Sequence, residues 1–235
     1  LQGTDGDDQL EGTSGYDDID GRDGDDVLIG KNGNDYLYGE DGNDNLNGGD
    51  GNDNLNGGDG NDYLYGENGN DILNIWIGRD YLYGGDGNDI FSFYGPFHNL
   101  NNFAHSDYTS SQESLIIGGL GNDKIELYYY INSVLVNDCE FSSIEPLTPL
   151  ASLEYAQYLI KFKNSASSYA PDGVCSSIKV YFKDVEIVTV KTSGSQGLPI
   201  TVWSLSPQSS SLQTGNKKGD LTKDGVVNLL DVQFL

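Results

Sequence analysis

Residues 48–56 read Gly48-Gly49-Asp50-Gly51-Asn52-Asp53-Asn54-Leu55-Asn56, and the nine residues that follow repeat this arrangement. Working outward in both directions, the period of nine runs from Gly3 to Ser92 and gives ten consecutive units. Gly holds the fourth place of every unit, Asp the sixth, and a large apolar residue the eighth. Three columns kept for ten rows are far beyond chance, so this repeat decides the fold.

Each column has a physical meaning. Glycine permits the positive φ and close backbone approach of a tight turn. The three residues after the Asp, such as Tyr36-Leu37-Tyr38, predict a short strand whose middle side chain faces inward. Two units then complete a coil of 18 residues, with a strand on each side and a turn at each end. The repeat therefore predicts an all-β stack of coils.

The charge of the chain is concentrated in this repeat. The net charge is −25, and residues 1–92 hold 23 acids against 3 bases. This acidity argues against nucleic acid and anionic membrane surfaces as partners, and no apolar run is long enough for a membrane span. Stacking places the sixth-place carboxylates above one another, and a hard cation such as calcium would remove their repulsion. The column consists of Asp8, Asp17, Asp26, Asp35, Asp44, Asp53, Asp62, Asp71, Asp80 and Asp89.

At these residues the chain resembles the RTX family, whose repeat reads G-G-x-G-x-D-x-U-x. Residues 48–56 and 84–92 match every fixed place. The resemblance implies a parallel β-roll solenoid that binds several calcium ions between the turns of units n and n+2. It also implies that each sixth-place Asp is a side-chain ligand and that carbonyls of the glycine-rich turn complete the shell.

One unit departs from the pattern. Ile75 and Trp76 replace its first two glycines, Ile77 follows, and Arg79 precedes Asp80. We expect this turn to bind calcium weakly, with Arg79 supplying part of the charge. Three apolar residues in a turn need cover, either by the following insert or by another protein, which makes Ile75, Trp76 and Ile77 candidate interface residues.

Residues 93–117 interrupt the register, and the repeat resumes once at 118–126. The segment 93–126 is therefore predicted to be an excursion from the roll followed by a last repeat, in which Asp123 offers one further metal ligand. Both histidines, His98 and His105, lie in the excursion. They lack the spacing of a metal or catalytic pair, and we interpret them as ordinary loop residues.

Residues 127–205 change character. Segments such as 158–162, 178–182 and 185–190 read as strands separated by turn signals. We expect either a β-sandwich-like domain or a cap over the open end of the roll. Cys139 and Cys175 are candidates for a disulfide in an extracellular chain, and the alternative is two buried thiols.

Residues 206–219 are rich in serine and predict a linker. Residues 220–235 carry a twelve-residue loop that resembles one half of a type I dockerin domain. The resemblance implies calcium ligands at Asp220, Thr222, Asp224, the Val226 carbonyl and Asp231. Thr222 departs from the usual Asn or Asp, and a second half is absent from this sequence. We therefore do not expect a cohesin-like partner.

The sequence holds none of the common catalytic motifs, so we predict no enzymatic activity. We expect a secreted or surface calcium-binding structural protein whose roll folds on binding calcium and which associates with itself into a fibre or surface layer. The alternative is the C-terminal secretion or anchoring region of a larger secreted enzyme or adhesin. Leu1-Gln2 is in phase with the eighth and ninth places of a unit, which predicts that the roll continues upstream.

Overall fold

The computed structural model describes residues 1–76, 78–93, 112–130, 139–146, 158–164, 178–193 and 201–204. In these ranges the chain forms strands and turns, and no residue is helical. They accordingly include no helix that could cross a membrane. The strands are β1 Gln9–Glu11, β2 Asp18–Asp23, β3 Val27–Asn32, β4 Tyr36–Asp41, β5 Asn45–Asp50, β6 Asn54–Asp59, β7 Tyr63–Asn68, β8 Ile72–Ile75, β9 Tyr81–Asp86, β10 Ile90–Phe93, β11 Gln112–Leu120, β12 Lys124–Tyr130, β13 Cys139–Pro146, β14 Tyr158–Asn164, β15 Ile178–Lys183, β16 Ile187–Ser193 and β17 Thr201–Ser204.

From β1 to β12, successive strands alternate between two sheets. The nine-stranded sheet has the order β1-β3-β5-β7-β9-β11-β15-β14-β13, and the eight-stranded sheet has the order β17-β16-β12-β10-β8-β6-β4-β2. All pairings from β1 to β12 are parallel. A chain that crosses from one sheet to the other at every turn and pairs in parallel within each sheet is a β-roll, which confirms the predicted fold class.

The register confirms the coil of 18 residues. Leu37 of β4 pairs with Leu55 of β6, and Leu46 of β5 pairs with Leu64 of β7. Most strands of the repeat span six residues, twice the predicted length. The reason is that pairing skips the glycine in the first place and resumes at the second and third, so that β4 and β6 also pair at Glu40–Gly58 and Asp41–Asp59.

The core lies between the two sheets and is built from the eighth-place column. From Ile19 to Phe91 every member of this column is fully buried or has 1% of its surface exposed. Side chains alternate between the faces of a strand, so the seventh and ninth places point outward. Each buried leucine contributes about 1.5–3 kcal/mol of hydrophobic free energy, and the repeat supplies one in every strand.

The roll's own strands reach into the predicted insert from both sides. Phe93 belongs to β10 and is buried in the core, and β11 begins at Gln112. Ile116 of β11 pairs with Leu82 of β9 and continues the core column. Residues 93 and 112–117, placed in the excursion by the sequence, are therefore part of the roll.

The strands after residue 127 extend the same two sheets. Lys183 of β15 pairs in parallel with Ile117, and Val188 of β16 pairs in parallel with Ile125. The outer strands β14, β13 and β17 then add on antiparallel. Val180, Phe182 and Val188 join the leucine core. The described strands thus extend the two sheets of the roll.

Candidate metal centre

The sixth-place aspartates form two hydrogen-bonded columns, one along each edge of the roll. We call the turns of residues 3–8, 21–26, 39–44, 57–62 and 75–80 the odd edge, and those of 12–17, 30–35, 48–53, 66–71 and 84–89 the even edge. On the odd edge the backbone N–H of Asp26 donates to Oδ1 of Asp44 at 2.8 Å. On the even edge the N–H of Asp35 donates to Oδ1 of Asp53 at 2.7 Å. Every described sixth-place Asp up to Asp71 repeats this bond to the Asp one coil later.

The second carboxylate oxygen of most of these residues has no hydrogen-bond partner although it is buried. A buried acceptor left in this way costs about 1–3 kcal/mol, and more when it is charged. Repetition of the same unpartnered atom along both edges points to a ligand for it. The oxygens are Oδ2 of Asp26, Asp35, Asp44, Asp53, Asp71, Asp80 and Asp89.

The glycine in the first place makes room beside this oxygen. A Cβ added to Gly39 would lie 2.2 Å from Oδ2 of Asp44 and 2.5 Å from the carbonyl oxygen of Gly57. Gly84 holds the same relation to Asp89 and to the Gly118 carbonyl, at 2.3 and 2.5 Å. A carboxylate oxygen of one turn and a carbonyl oxygen of the next turn therefore face the same small space. Oxygen donors of these two kinds are the ligands that calcium prefers.

Burial makes the negative charge of these carboxylates costly. It raises the pKa of Asp44 to about 7, that of Asp71 to about 8 and that of Asp62 to about 9. The neighbouring carboxylates raise these pKa values further, because like charges one coil apart repel. A cation at this point stabilises the ionised form that burial alone disfavours.

A second column of side chains stabilises the turns independently of any metal. The N–H of Asn52 donates to Oδ1 of Asn34 at 2.8 Å, and the N–H of Asn70 donates to Oδ1 of Asn52 at 2.7 Å. These fifth-place bonds run from a later coil to an earlier one, opposite to the aspartate bonds. Each pair of successive turns on an edge is therefore joined by two kinds of hydrogen bond, one donated by the earlier turn and one donated by the later turn.

Two members of the columns were not found from the sequence. The N–H of Asp80 donates to Oγ of Ser114 at 3.1 Å, and the N–H of Asp123 donates to Oε2 of Glu186 at 2.7 Å. Ser114 thus takes the place of an aspartate on the odd edge, and Glu186 does so on the even edge. Counting back nine residues from Gly118 would have put Ser114 in the sixth place, whereas the distant Glu186 carries no such signal.

The first coil differs from all later ones. Thr4 donates its N–H and its hydroxyl to Oδ2 of Asp8, at 2.6 and 2.9 Å. Thr13 makes the same two bonds to Oδ2 of Asp17, also at 2.6 and 2.9 Å. These hydrogen bonds lower the pKa of Asp8 and of Asp17 below the ordinary value, in contrast to the carboxyls deeper in the roll.

The structure describes some of the remaining predicted site residues. Asp123 is buried, and its Oδ1 accepts the N–H of Asp89 at 2.9 Å. Trp76 has 39% of its surface exposed. Ile75 ends strand β8 and Cys139 begins strand β13. The others lie outside the described residues: Ile77, His98, His105, Cys175, Asp220, Thr222, Asp224, Val226 and Asp231.

The described residues contain no group of three or more His, Cys, Asp or Glu side chains that could hold a metal ion. The geometry explains why. Stacked aspartates are one coil apart, so any ion between two turns receives few carboxylates and must complete its shell from main-chain carbonyls. Such a shell suits calcium, which takes six to eight oxygen ligands, and does not suit zinc, which prefers nitrogen and sulfur.

The family model for the RTX calcium-binding nonapeptide repeat, in four copies, matches residues 2–37, 38–73 and 77–93. The match agrees with the geometry of the roll, in which the repeated apolar column forms the core and the repeated Gly and Asp columns form the turns. Residues 2–73 and 77–93 are RTX calcium-binding repeats. The RTX match breaks between residues 73 and 77, where Ile75 and Trp76 replace the glycines, and it does not include the dockerin-like loop.

Among solved structures, the chain is similar to the solution structure of the AlgE6R3 subunit from the Azotobacter vinelandii mannuronan C5-epimerase. The two share 23% sequence identity over 77% of this chain and 72% of that chain, with a TM-score of 0.21. A comparison with curated proteins gave no match. The assignment of the RTX repeats therefore rests on the family match and on the structure itself.

Proposed function

We propose that this chain is an extracellular structural protein, without catalytic activity, whose RTX roll folds when calcium binds between its turns. The observation that carries the proposal is the repeated Oδ2 atom, buried and without a hydrogen-bond partner along both edges. At Gly30, Gly39, Gly66 and Gly84 a main-chain carbonyl oxygen of the following turn lies beside it, so the donor set consists of oxygen atoms.

In this proposal two successive turns on one edge, which we call a turn pair, hold one ion. The earlier turn supplies Oδ2 of its sixth-place Asp, and the later turn supplies the carbonyl of its first-place residue. Asp35 with Gly48 and Asp44 with Gly57 are examples in the middle of the roll. Bound calcium supplies positive charge that neutralises the carboxylates. Because its ligands come from both turns, it also holds the two turns together.

Calcium binding then becomes folding free energy. Without the ion, the roll must bury several carboxylates that repel each other, which opposes folding. With the ion, each turn pair is stabilised in proportion to the logarithm of the calcium concentration over the dissociation constant. The unfolded chain cannot place these oxygens together, so binding selects the folded roll.

Far-ultraviolet circular dichroism of the full chain during a calcium titration tests this function. At neutral pH we expect the β signal to appear as calcium is added and to vanish in excess EDTA. Magnesium serves as the control, because it demands a smaller octahedral shell and keeps its waters. A spectrum with full β signal in excess EDTA would contradict the proposal.

We further propose that the folded roll associates with itself. Strand β1 forms the edge of one sheet, whereas in the other sheet Leu1 and Gly3 hydrogen-bond to Asp20 on the outer side of β2. Edge strands offer unpaired backbone groups to another chain. Leu1 itself is 57% exposed. Sedimentation velocity over a wide concentration range, with calcium present, tests this idea, and a monomer throughout would refute it.

The alternative assigns the roll to the secretion or anchoring region of a larger enzyme or adhesin. Calcium-dependent folding is common to both proposals, so the titration does not separate them. The sequence of the complete gene does, because a catalytic or adhesive domain fused to the roll favours the alternative.

A further inference from the structure

We infer that Thr4 and Thr13 satisfy the carboxylates of Asp8 and Asp17 by hydrogen bonds, so that the first coil needs no calcium. The ions then bind only in the later turn pairs, which begin at Asp26 and Asp35. The inference rests on the proposed function and departs from the family resemblance, which implies ligands at Asp8 and Asp17. It specifies which sixth-place carboxylates bind calcium and which residues prevent the others from doing so.

The first step is the position of the oxygen. A Cβ added to Gly3 would lie 2.8 Å from Oδ2 of Asp8 and 2.4 Å from the carbonyl oxygen of Gly21. This is the arrangement seen deeper in the roll around Gly39 and Asp44. The first coil therefore presents the same two oxygens as the coils that follow.

The second step is what satisfies that oxygen. In the first coil Oδ2 of Asp8 receives two hydrogen bonds from Thr4, and Oδ2 of Asp17 receives two from Thr13. In the next coil Oδ2 of Asp26 and of Asp35 has no hydrogen-bond partner. The threonine N–H and hydroxyl thus supply to this oxygen the positive charge that we propose calcium supplies in the later coils.

The third step is the backbone. Later second-place residues have left-handed φ angles, such as 81° at Lys31, 75° at Glu40 and 104° at Gly49. Thr4 and Thr13 do not have positive φ. A β-branched residue pays a steric cost in the left-handed region. Threonine therefore keeps the turn in a conformation without positive φ, which we call the closed turn, and in this conformation its N–H donates to the aspartate.

A calcium stoichiometry measurement on the full chain tests the inference. The variant Asp8→Asn/Asp17→Asn removes both first-coil carboxylates, and Asp44→Asn/Asp53→Asn removes two equivalent ones in the middle of the roll. We expect the first variant to bind as many ions per chain as the wild type, and the second to bind two fewer. Loss of two ions from the first variant would overturn the inference.

A gain of binding gives a second readout that misfolding cannot imitate. Thr4→Gly/Thr13→Gly installs the residue found at Gly49, Gly58 and Gly85 in the same place and frees the turn to adopt positive φ. We expect two additional calcium ions per chain. Thr4→Val/Thr13→Val keeps the backbone donor and the β-branch that disfavours positive φ, and should leave the number unchanged. No gain with glycine would overturn the inference.

These outcomes are distinct from failure of the proposed function. If the wild type binds no calcium, the proposed function falls. If it binds calcium and folds, but Asp8→Asn/Asp17→Asn loses two ions, only the inference about Thr4 and Thr13 falls.

Discussion

The backbone N–H of Asp44 donates a hydrogen bond of 2.9 Å to Oδ1 of Asp62, eighteen residues later. Oδ1 of Asp62 thus ties two coils together, while its Oδ2 lies beside Gly57 in its own turn. After the first coil, each sixth-place aspartate of the roll therefore has two tasks, of which only the second needs a metal.

Substitutions at Asp62 separate these tasks. Asp62→Asn keeps an oxygen acceptor for the Asp44 N–H but removes the charge. Asp62→Ala removes both and leaves a buried N–H without an acceptor, at a cost of about 1–3 kcal/mol. In calcium we expect both variants to need more calcium to fold. In EDTA we expect Asp62→Asn to be more structured than the wild type, because it no longer buries a carboxylate.

Calcium-dependent circular dichroism of the two variants checks this prediction. The informative comparison is their order in EDTA, where Asp62→Asn should show more β signal than Asp62→Ala. Equal spectra in EDTA together with equal calcium requirements for folding would mean that the hydrogen bond to Oδ1 adds nothing to the fold.

The pH dependence of the calcium-free roll should run opposite to that of most proteins. Burial raises the folded-state pKa of Asp53 and Asp89 to about 6, of Asp44 to about 7 and of Asp71 to about 8. Unfolded aspartate has a pKa of about 3.9, so the folded roll binds more protons. Its stability is then greatest below about pH 4 and is lost as the pH rises through the folded-state values.

Circular dichroism in excess EDTA between pH 4 and pH 9, roughly the range of those pKa values, checks this sign. We expect the β signal to grow on acidification. With calcium present we expect the reverse, because the ion must displace protons and binds better at higher pH. A calcium-free roll that gains structure as the pH rises would contradict the burial of these carboxylates.

The roll could be predicted from the sequence because the Gly, Asp and apolar columns repeat every nine residues. Leu28, Leu37 and Leu46 had to face one side of their strands, and the structure buries them completely. The length of the strands was underestimated. Pairing resumes at Glu40 and Asp41, and this depends on contacts between coils that no single unit encodes.

The residues that hydrogen-bond to the aspartates at the two ends of the columns could not be predicted from the sequence, for a different reason. Glu186 meets Asp123 across 63 residues, through a sheet order that the period of nine does not predict. Thr4 and Thr13 occupy a place where several residue types occur, and only their hydrogen bonds to Asp8 and Asp17 distinguish them.

The core column should dominate stability. Leu28→Ala removes a side chain that is completely buried, whereas Val27→Ala truncates its neighbour, which is 36% exposed on the outer face. We expect Leu28→Ala to cost about 2–5 kcal/mol and Val27→Ala less than about 0.5 kcal/mol. Urea unfolding at saturating calcium measures both, and similar losses would show that the two faces of β3 are equally packed.

Fourth-place glycines offer the sharpest test of the turn geometry. Gly51 has a φ of 141°, and a Cβ there would lie 1.4 Å from the carbonyl oxygen of Gly33. Gly15 holds the same place in the first coil, where an added Cβ would meet nothing within 4 Å. We expect Gly51→Ala to destabilise the roll by at least about 3 kcal/mol, since backbone strain and overlap with main-chain atoms add. We expect Gly15→Ala to be nearly neutral in urea unfolding with calcium. Equal sensitivity of the two positions would mean that the first turn adopts the conformation of the later ones, so the same pair of variants also probes the closed turn held by Thr13.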